Sequence, residues 1–451
     1  MRAEAGAAPD AALDRFVVVD DVWVGEWTGP AVLRIRGGRV ELVRRAAVAS
    51  AGGQEAAGAG GLDGWGAGGL DAAAAGGRDT AGAGAGGSGP HDGAGRVVTN
   101  VGGVVLPGFC DSHVHLGLVD PGALLGGGIA RVVDLGWNPT VIASWAHGAA
   151  GTSMPEVEFA GAFLTGVGGY PSGRSWAPDA AVRQLRDVAG ALAAVAEMHR
   201  SGARFVKLVL HTGDTEPPGA ADARGDGGVG RGGVDARGDA AVSRGGLTDT
   251  VARAVVDEAH RRALVVVAHT EGAGQAERAQ QLGVDRLAHT PFSERLSDEL
   301  IAAMADRMTW VSTLDIHGWG DPTPEFAVAL DNLARFAAAG GRVLYGTDLG
   351  NGPLPVALNP RELDALTSAG LTAPQLLDAL APLPPREVAL SRLSRAPEPT
   401  SSDFAEHDDL IDLGSRVSWV PTRAPADAAE LPTWLPTARV VAADDLEEIR
   451  A

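Results

Sequence analysis

A single cysteine, Cys110, stands among the 451 residues. It excludes an intrachain disulfide and any zinc site built on two or more thiolates, leaving histidine and carboxylate as the metal-ligand types on offer. Positive charge is scarce too. The 37 lysines and arginines face 57 acidic residues, and a formal net charge of −20 repels nucleic acid and anionic membranes alike, so the expected partner is a small molecule. No stretch is long and apolar enough to cross a bilayer, and the N-terminal residues carry no apolar signal-peptide core, so the expectation is a cytoplasmic protein. Whether it forms a homo-oligomer is left open. Lysine itself occurs once, as Lys207.

What is present is a globular composition, 45% hydrophobic, on a chain long enough for one large domain and a small one. Residues 15–48 bunch Val, Trp, Leu and Ile between the turn-formers Asp20, Asp21, Gly29, Pro30, Gly37 and Gly38, which reads as short strands of a small β domain. Residues 49–95 collapse to Gly and Ala with scattered Asp, too little bulky apolar surface to offset chain entropy, and read as a low-complexity insertion. A second such stretch, 216–246, carries the imperfect repeat Asp-Ala-Arg-Gly-Asp at 222–226 and 235–239 and reads as an expanded loop. Residues 396–451 form a C-terminal segment in which 438–449 could supply a closing strand.

Across 96–395 one unit repeats: a short apolar run, a polar residue at its end, then a helical stretch. Strands are expected at 104–109, 130–135, 158–164, 203–210, 264–268, 286–288, 308–313 and 342–345, with helices at 179–200, 248–262, 273–282, 293–305 and 325–339. Eight such units predict a closed parallel (β/α)8 barrel, a TIM barrel in the α/β class, with a doubly wound open sheet as the alternative.

In such a barrel the chemistry gathers at the carboxyl ends of the strands. His113 and His115 follow the first expected strand, and i, i+2 spacing in extended backbone turns both imidazoles to one side. His269 closes the fifth, His289 the sixth and Asp348 the eighth. Neutral imidazole and carboxylate suit zinc and similar ions in open sites. Lys207 sits inside Arg-Phe-Val-Lys-Leu-Val-Leu, where a charged amine is costly to bury. Burial depresses its pKa, and a neutral amine can take up carbon dioxide to become a carbamate, an anionic oxygen ligand; a plain lysine paired with a carboxylate is the alternative. His211, four residues on, and His317, past the seventh strand beside Trp319, are placed to touch a substrate. His147, His199 and His260 fall on helices facing solvent. Cys110 reads as core filling.

Leu-Pro-Gly-Phe-Cys-Asp-Ser-His-Val-His at 106–115, the lysine of the fourth strand, histidines closing the fifth and sixth, and Gly-Thr-Asp closing the eighth together resemble the amidohydrolase superfamily. The likeness runs from Leu106 to about Ala381 and is nearest to imidazolonepropionase-like and prolidase-like members of its binuclear branch. Smaller echoes are Val-Val-Asp-Leu-Gly at 132–136 and Gly-Gly-Tyr-Pro at 168–171.

The resemblance implies two divalent ions, most simply Zn²⁺, with His113 and His115 on one, His269 and His289 on the other, carboxylated Lys207 between them, and Asp348 completing the set and shuttling a proton. It implies hydrolysis of an amide-like C–N bond, in a dipeptide, an N-acyl amino acid or a cyclic amide, by a metal-activated hydroxide. The same ligands serve deaminases, lactonases and decarboxylases in relatives, and a metal-free binding scaffold is the non-catalytic alternative. It further implies a small β-sandwich-like domain built from the N- and C-terminal segments. Tyr170 stands where relatives often carry histidine and is taken as a substrate contact. From Leu383 onward the usual Gly-rich return segment is missing, so the second half of the β domain is expected to be rearranged.

Overall fold

The computed structural model describes residues 14–43, 98–148, 153–212, 246–383 and 410–449. The insertion at 49–95, nearly all of the loop at 216–246 and the start of the C-terminal segment lie outside the described residues. Two compact units are formed: one takes the residues up to Gly108 with Leu383–Arg423 and Val441–Ala451, the other Phe109–Pro382 with Ala424–Val440.

The first unit opens with β1 (Arg15–Val19), β2 (Asp21–Val22), β3 (Ala31–Arg36), β4 (Arg39–Val43), β5 (Val98–Asn100) and β6 (Val104–Pro107). In β3 burial alternates residue by residue, with Ala31, Leu33 and Ile35 inside, as a sheet with one covered face requires. Gly37 and Gly38, at φ +57° and +71°, supply the left-handed pair that a tight β3–β4 hairpin needs.

The second unit holds β7 (Cys110–Val114), β8 (Arg131–Asp134), β9 (Glu156–Phe159), β10 (Phe163–Gly166), β11 (Val182–Leu185), β12 (Phe205–His211), β13 (Val265–Glu271), β14 (Arg286–Leu287), β15 (Thr309–Val311) and β16 (Arg342–Leu344). Pairing is parallel along β7-β8-β9 and along β10-β12-β13-β14-β15-β16, with β11 flanking β10. The runs join where Arg204 N donates to Phe159 O at 3.1 Å, and they close where Ser112 N donates to Tyr345 O at 2.9 Å and Val114 bridges Leu349. With β9 and β10 counted as one interrupted strand, the ring has the eight members of the expected barrel. Its strands are buried along both faces, the signature of a parallel sheet covered by helices.

Those helices are α1 (Pro139–Gly148), α2 (Val188–Arg200), α3 (Asp249–Arg261), α4 (Gln275–Leu282), α5 (Asp298–Ala305), α6 (Pro324–Ala338), α7 (Pro360–Ser368) and α8 (Ala373–Leu380). α3 buries Val251, Ala252, Val255, Val256 and Ala259, the spacing that marked it in the sequence. Thr248, Ser297 and Thr323 cap α3, α5 and α6 by accepting an amide of the first turn. No helix among the described residues is long and apolar enough to cross a membrane.

After the barrel, β17 (Leu410–Gly414) adds to β4, β18 (Arg416–Val420) adds to β6, and β19 (Arg439–Ala442) adds to β18. The first unit thus contains a sheet β17-β4-β3-β1-β5 and a sheet β19-β18-β6-β2 around Val17, Leu33, Leu42, Val105, Leu413 and Trp419. The fold is a TIM barrel plus a β domain assembled from terminal segments.

Several expected boundaries move. The run at 104–109 is not the first barrel strand: β6 pairs with β18 and β2, and Pro107-Gly108 interrupts the chain before β7 begins. The run at 158–164 is split by Gly161, held at φ +79°, so β9 ends on the β8 side and β10 begins on the β12 side. The helix expected at 179–200 starts at Val188, because Asp187 caps it there by accepting from Gly190 N at 2.8 Å, while 182–185 extends as β11. The closing strand at 438–449 is four residues long before a 3-10 helix takes over.

Candidate metal centre

Side-chain alternation decides what faces the barrel interior. On β12, Phe205, Lys207 and His211 share one face; on β13, Val265, Val267, His269 and Glu271 do. Phe205, Val265 and Val267 close the lower interior with Cys110 and Ala288, and the polar members follow above them. β7 needs a correction to do the same. Its register against β8 slips by one residue between Asp111 and Val114, and that bulge turns His113 and His115 inward although Cys110, of opposite parity, also points inward.

His113 Nδ1–H donates to Ala288 O at 2.8 Å and His115 Nδ1–H to Gly136 O at 3.0 Å. Each ring therefore presents Nε2 as a lone pair. Both Nε2 atoms lie 3.1 Å from Asp348 Oδ1, which is buried and has no hydrogen-bond donor. With both rings in these neutral tautomers, three acceptors converge. Such a cluster repels itself unless a cation joins it, so the donor set fits a divalent ion of the kind bound by imidazole and carboxylate.

The surroundings hold this geometry in place. Asp134 accepts from Gly136 N at 3.1 Å and Leu116 N at 2.8 Å, fixing the carbonyl that orients His115. Asp111 accepts from His113 N and Thr347 N and from the Thr347 hydroxyl, tying the first barrel strand to the loop that carries Asp348. Burial pushes its carboxyl up to about 7. Asp348 itself stands at φ +57°, and its Oδ2 accepts from Asn351 Nδ2 at 2.9 Å, leaving Oδ1 for the centre. Burial opposes its charge, and only positive charge on the facing imidazoles, or on a cation that takes their place, holds the carboxyl low.

Lys207 Nζ lies 3.3 Å from His113 Nε2. Burial lowers the amine to about 7, against 10.5 in water. Burial, reinforced by neighbouring positive charge, also holds His113 and His289 well below the ordinary imidazole value, so both are neutral near pH 7. His289 Nδ1 meets Thr313 Oγ1 at 3.0 Å, from a threonine at φ +43°, a strained setting for a β-branched residue. The rings continue as a row: His113 to His289 at 4.7 Å between centroids, His289 to His269 at 5.0 Å. The six expected ligand residues thus meet in one mouth.

A second group stands beside the first. Glu271 Oε2 lies 3.1 Å from His211 Nδ1 and 3.3 Å from His269 Nε2, a trio whose ligand atoms could share an ion. Its carboxyl is lowered: burial alone would raise it, and the two imidazole contacts prevail. Glu271 was not singled out in the sequence, although His269-Thr270-Glu271 repeats the i, i+2 spacing of His113 and His115. Tyr170 stacks on His269 at 5.2 Å and reaches His211 at 6.1 Å. Trp176, also missed, lies 6.2 Å from His115.

His317 meets no ligand residue directly. It packs on Phe292 at 4.3 Å, its Nε2 is buried without a partner, and burial lowers it to about 4, so it is a neutral ring within the fields of Asp348 and Glu271. Trp319 donates to Asn351 O at 3.4 Å. His147, His199 and His260 are exposed, and Cys110 is buried in the lower core with its thiol pushed up to about 11 by burial.

No family model matches the sequence, and no curated protein matches it. Solved structures do. Ochratoxinase of A. niger is 16% identical, with 96% of this chain and 95% of that one aligned at a TM-score of 0.58. A Xaa-Pro dipeptidase with bound methionine in the active site is 15% identical over 96% and 98%, also at 0.58. Molinate hydrolase is 14% identical over 95% and 94%, at 0.56. At these identities the likeness is one of fold, a TIM barrel with a β domain built from terminal segments, matched across nearly the full length.

Proposed function

We propose that this chain is a metal-dependent hydrolase of amide-like C–N bonds in small molecules. One observation carries the reading: at the mouth of a barrel shared with known hydrolases, His113 Nε2 and His115 Nε2 converge on Asp348 Oδ1 at 3.1 Å, each ring having spent its Nδ1 on a backbone carbonyl. His113, His115 and Asp348 would hold one divalent ion, most simply Zn²⁺. His269 and His289 would hold a second, with carboxylated Lys207 between the two; Lys207, lowered to about 7, has at neutral pH a share of the free-amine form that carbon dioxide requires. His211 and Glu271 stand next to His269 as further donors for that position. Such ions supply a lowered pKa for water and polarisation of a carbonyl.

The remaining work falls to side chains of the chain itself. Asp348, kept ionised, accepts the proton of the attacking water and passes it to the leaving nitrogen. Asn351 donates to the other carboxylate oxygen and so fixes how the carboxylate is turned toward the centre. The ring of Tyr170 over His269 and the neutral ring of His317 stand where they would position a bound molecule and keep bulk water from it. Among the neighbours, the Xaa-Pro dipeptidase and its methionine point to dipeptides and N-acyl amino acids as the first compounds to assay.

The test is a zinc-loaded preparation, its metal content measured, assayed on dipeptides, N-acyl amino acids and cyclic amides. Stoichiometric metal with turnover of at least one class is expected. Bound metal with no turnover of any would sink the hydrolase reading, and absence of bound metal would sink the centre.

A further inference from the structure

We propose that His211, Glu271 and His269 form an outer divalent-cation position at the rim of the mouth, distinct from the one beside His289, and that the second ion occupies it whenever Lys207 carries no added carboxylate. The proposal rests on the metal centre of the hydrolase reading and says where its second ion stands.

Strand register brings the three residues together. β12 and β13 run parallel with His211 opposite Glu271, each the last residue of its strand, so both stand at the rim. His269, two residues before Glu271, turns to the same face. Both imidazoles meet one oxygen, Glu271 Oε2, from His211 Nδ1 at 3.1 Å and from His269 Nε2 at 3.3 Å. Tetrahedral zinc bound at about 2.0–2.1 Å keeps its donors about 3.4 Å apart, so the carboxylate already lies at nearly a coordinating separation from each ring. The Tyr170 ring lies at 27° to His269 and 30° to His211, which restricts how the two imidazoles can turn.

Donor count and charge favour this position over the inner one. Among the described residues only two sets of three or more His, Cys, Asp or Glu donors close to within 4.8 Å: His113 with His115 and Asp348, and His211 with His269 and Glu271. His289 belongs to neither. Its place beside Lys207 gains a negative charge only once the amine has taken up carbon dioxide; until then it offers nitrogen donors alone. Glu271 brings a carboxylate without any modification, and its side chain, 42% exposed, leaves water free to complete the shell of an ion. A neutral imidazole has one ring lone pair to give, so His269 serves one position or the other.

The experiment measures bound zinc by equilibrium dialysis on Lys207→Met, a chain that cannot be carboxylated at this residue. It should keep the second ion. Adding Glu271→Gln or His211→Gln should weaken that ion by about 10- to 100-fold or more, since loss of a mere supporting partner already costs that much, whereas adding His289→Ala should leave it in place. The first ion, on His113, His115 and Asp348, should persist throughout and reports that each variant is folded. With Co²⁺ as the probe, the visible bands of the second ion should vanish with Glu271 and those of the first remain. Loss of the second ion in Lys207→Met by itself, its retention in the Glu271 and His211 variants alike, or its loss with His289→Ala would overturn the outer position and leave the first ion's site standing. Turnover enters none of these arms. An outer ion that needs Glu271 and His211, in a protein that cleaves none of the amides, would sustain the position while the hydrolase reading falls.

Discussion

The two ends of the barrel interior are built from the same strands and follow opposite rules. At the lower end, Phe205 on β12, Val265 and Val267 on β13, Ala288 and Cys110 pack as apolar groups, with the guanidinium of Arg286 over the Phe205 ring at 5.2 Å. A few residues further along those strands stand Lys207, His269 and Glu271, and the mouth collects neutral imidazoles, an ionised carboxylate without a donor, and the left-handed residues Asp348 and Thr313. The lower end spends its residues on stability. The mouth keeps unmet hydrogen-bonding capacity and backbone strain, the condition under which a bound ion or substrate gains most.

That contrast can be broken in graded ways. Asp348→Asn should remove about 10³-fold or more of the turnover while the melting temperature and most of the bound metal persist; unchanged turnover would contradict a proton role for this carboxylate. Phe205→Ala at the other end should do the reverse, costing about 3–5 kcal/mol in denaturant melts with little change in rate per folded molecule.

The pH dependence sharpens the division. Lys207 is depressed to about 7 in the fold and titrates at 10.5 when exposed, so between those values the unfolded chain holds a proton that the folded one has shed. Stability of the metal-free protein should therefore rise with pH across that window, by up to about 1.4 kcal/mol per unit, and Lys207→Met should flatten the rise. A flat profile in the unmodified protein would mean that the amine is not desolvated as described.

Added zinc at about a hundred times its dissociation constant should stabilise the fold by about 2.7 kcal/mol, seen as a raised melting temperature that His113→Ala abolishes. The smallest effect is expected from Thr313→Val, which keeps the shape but deletes the hydroxyl facing His289 Nδ1. Metal affinity should drop about 10-fold with the melt nearly unchanged, and equal affinity would show that this hydroxyl does not orient the ring.

Much of the mouth was legible before any coordinates, because ligand chemistry confines the choice to a few residue types and a barrel confines their place to strand ends. His113, His115, His269, His289 and Asp348 carried that double mark, while Lys207, inside its strand, was marked by the cost of burying a charged amine. Glu271 escaped because a glutamate past a strand end is commonplace until a histidine is known to sit beside it. Trp176 escaped because a turn's path cannot be read from its composition. The strand at 104–109 was misplaced for a related reason: an apolar run tells that a strand forms, not which sheet it joins.

What the sequence determined by itself is the set of local rules: which runs extend, which coil into helices, which charges are scarce, and which side chains can bind a cation. These follow from spacing and chemistry within a few residues. Convergence was decided only by the tertiary structure. The bulge at Asp111 that reverses the parity of β7, the carbonyls of Ala288 and Gly136 that fix two tautomers, and the return of β16 to β7 that brings Asp348 against both rings are long-range pairings. They depend on backbone groups, which are alike at every residue and so leave no mark in the sequence.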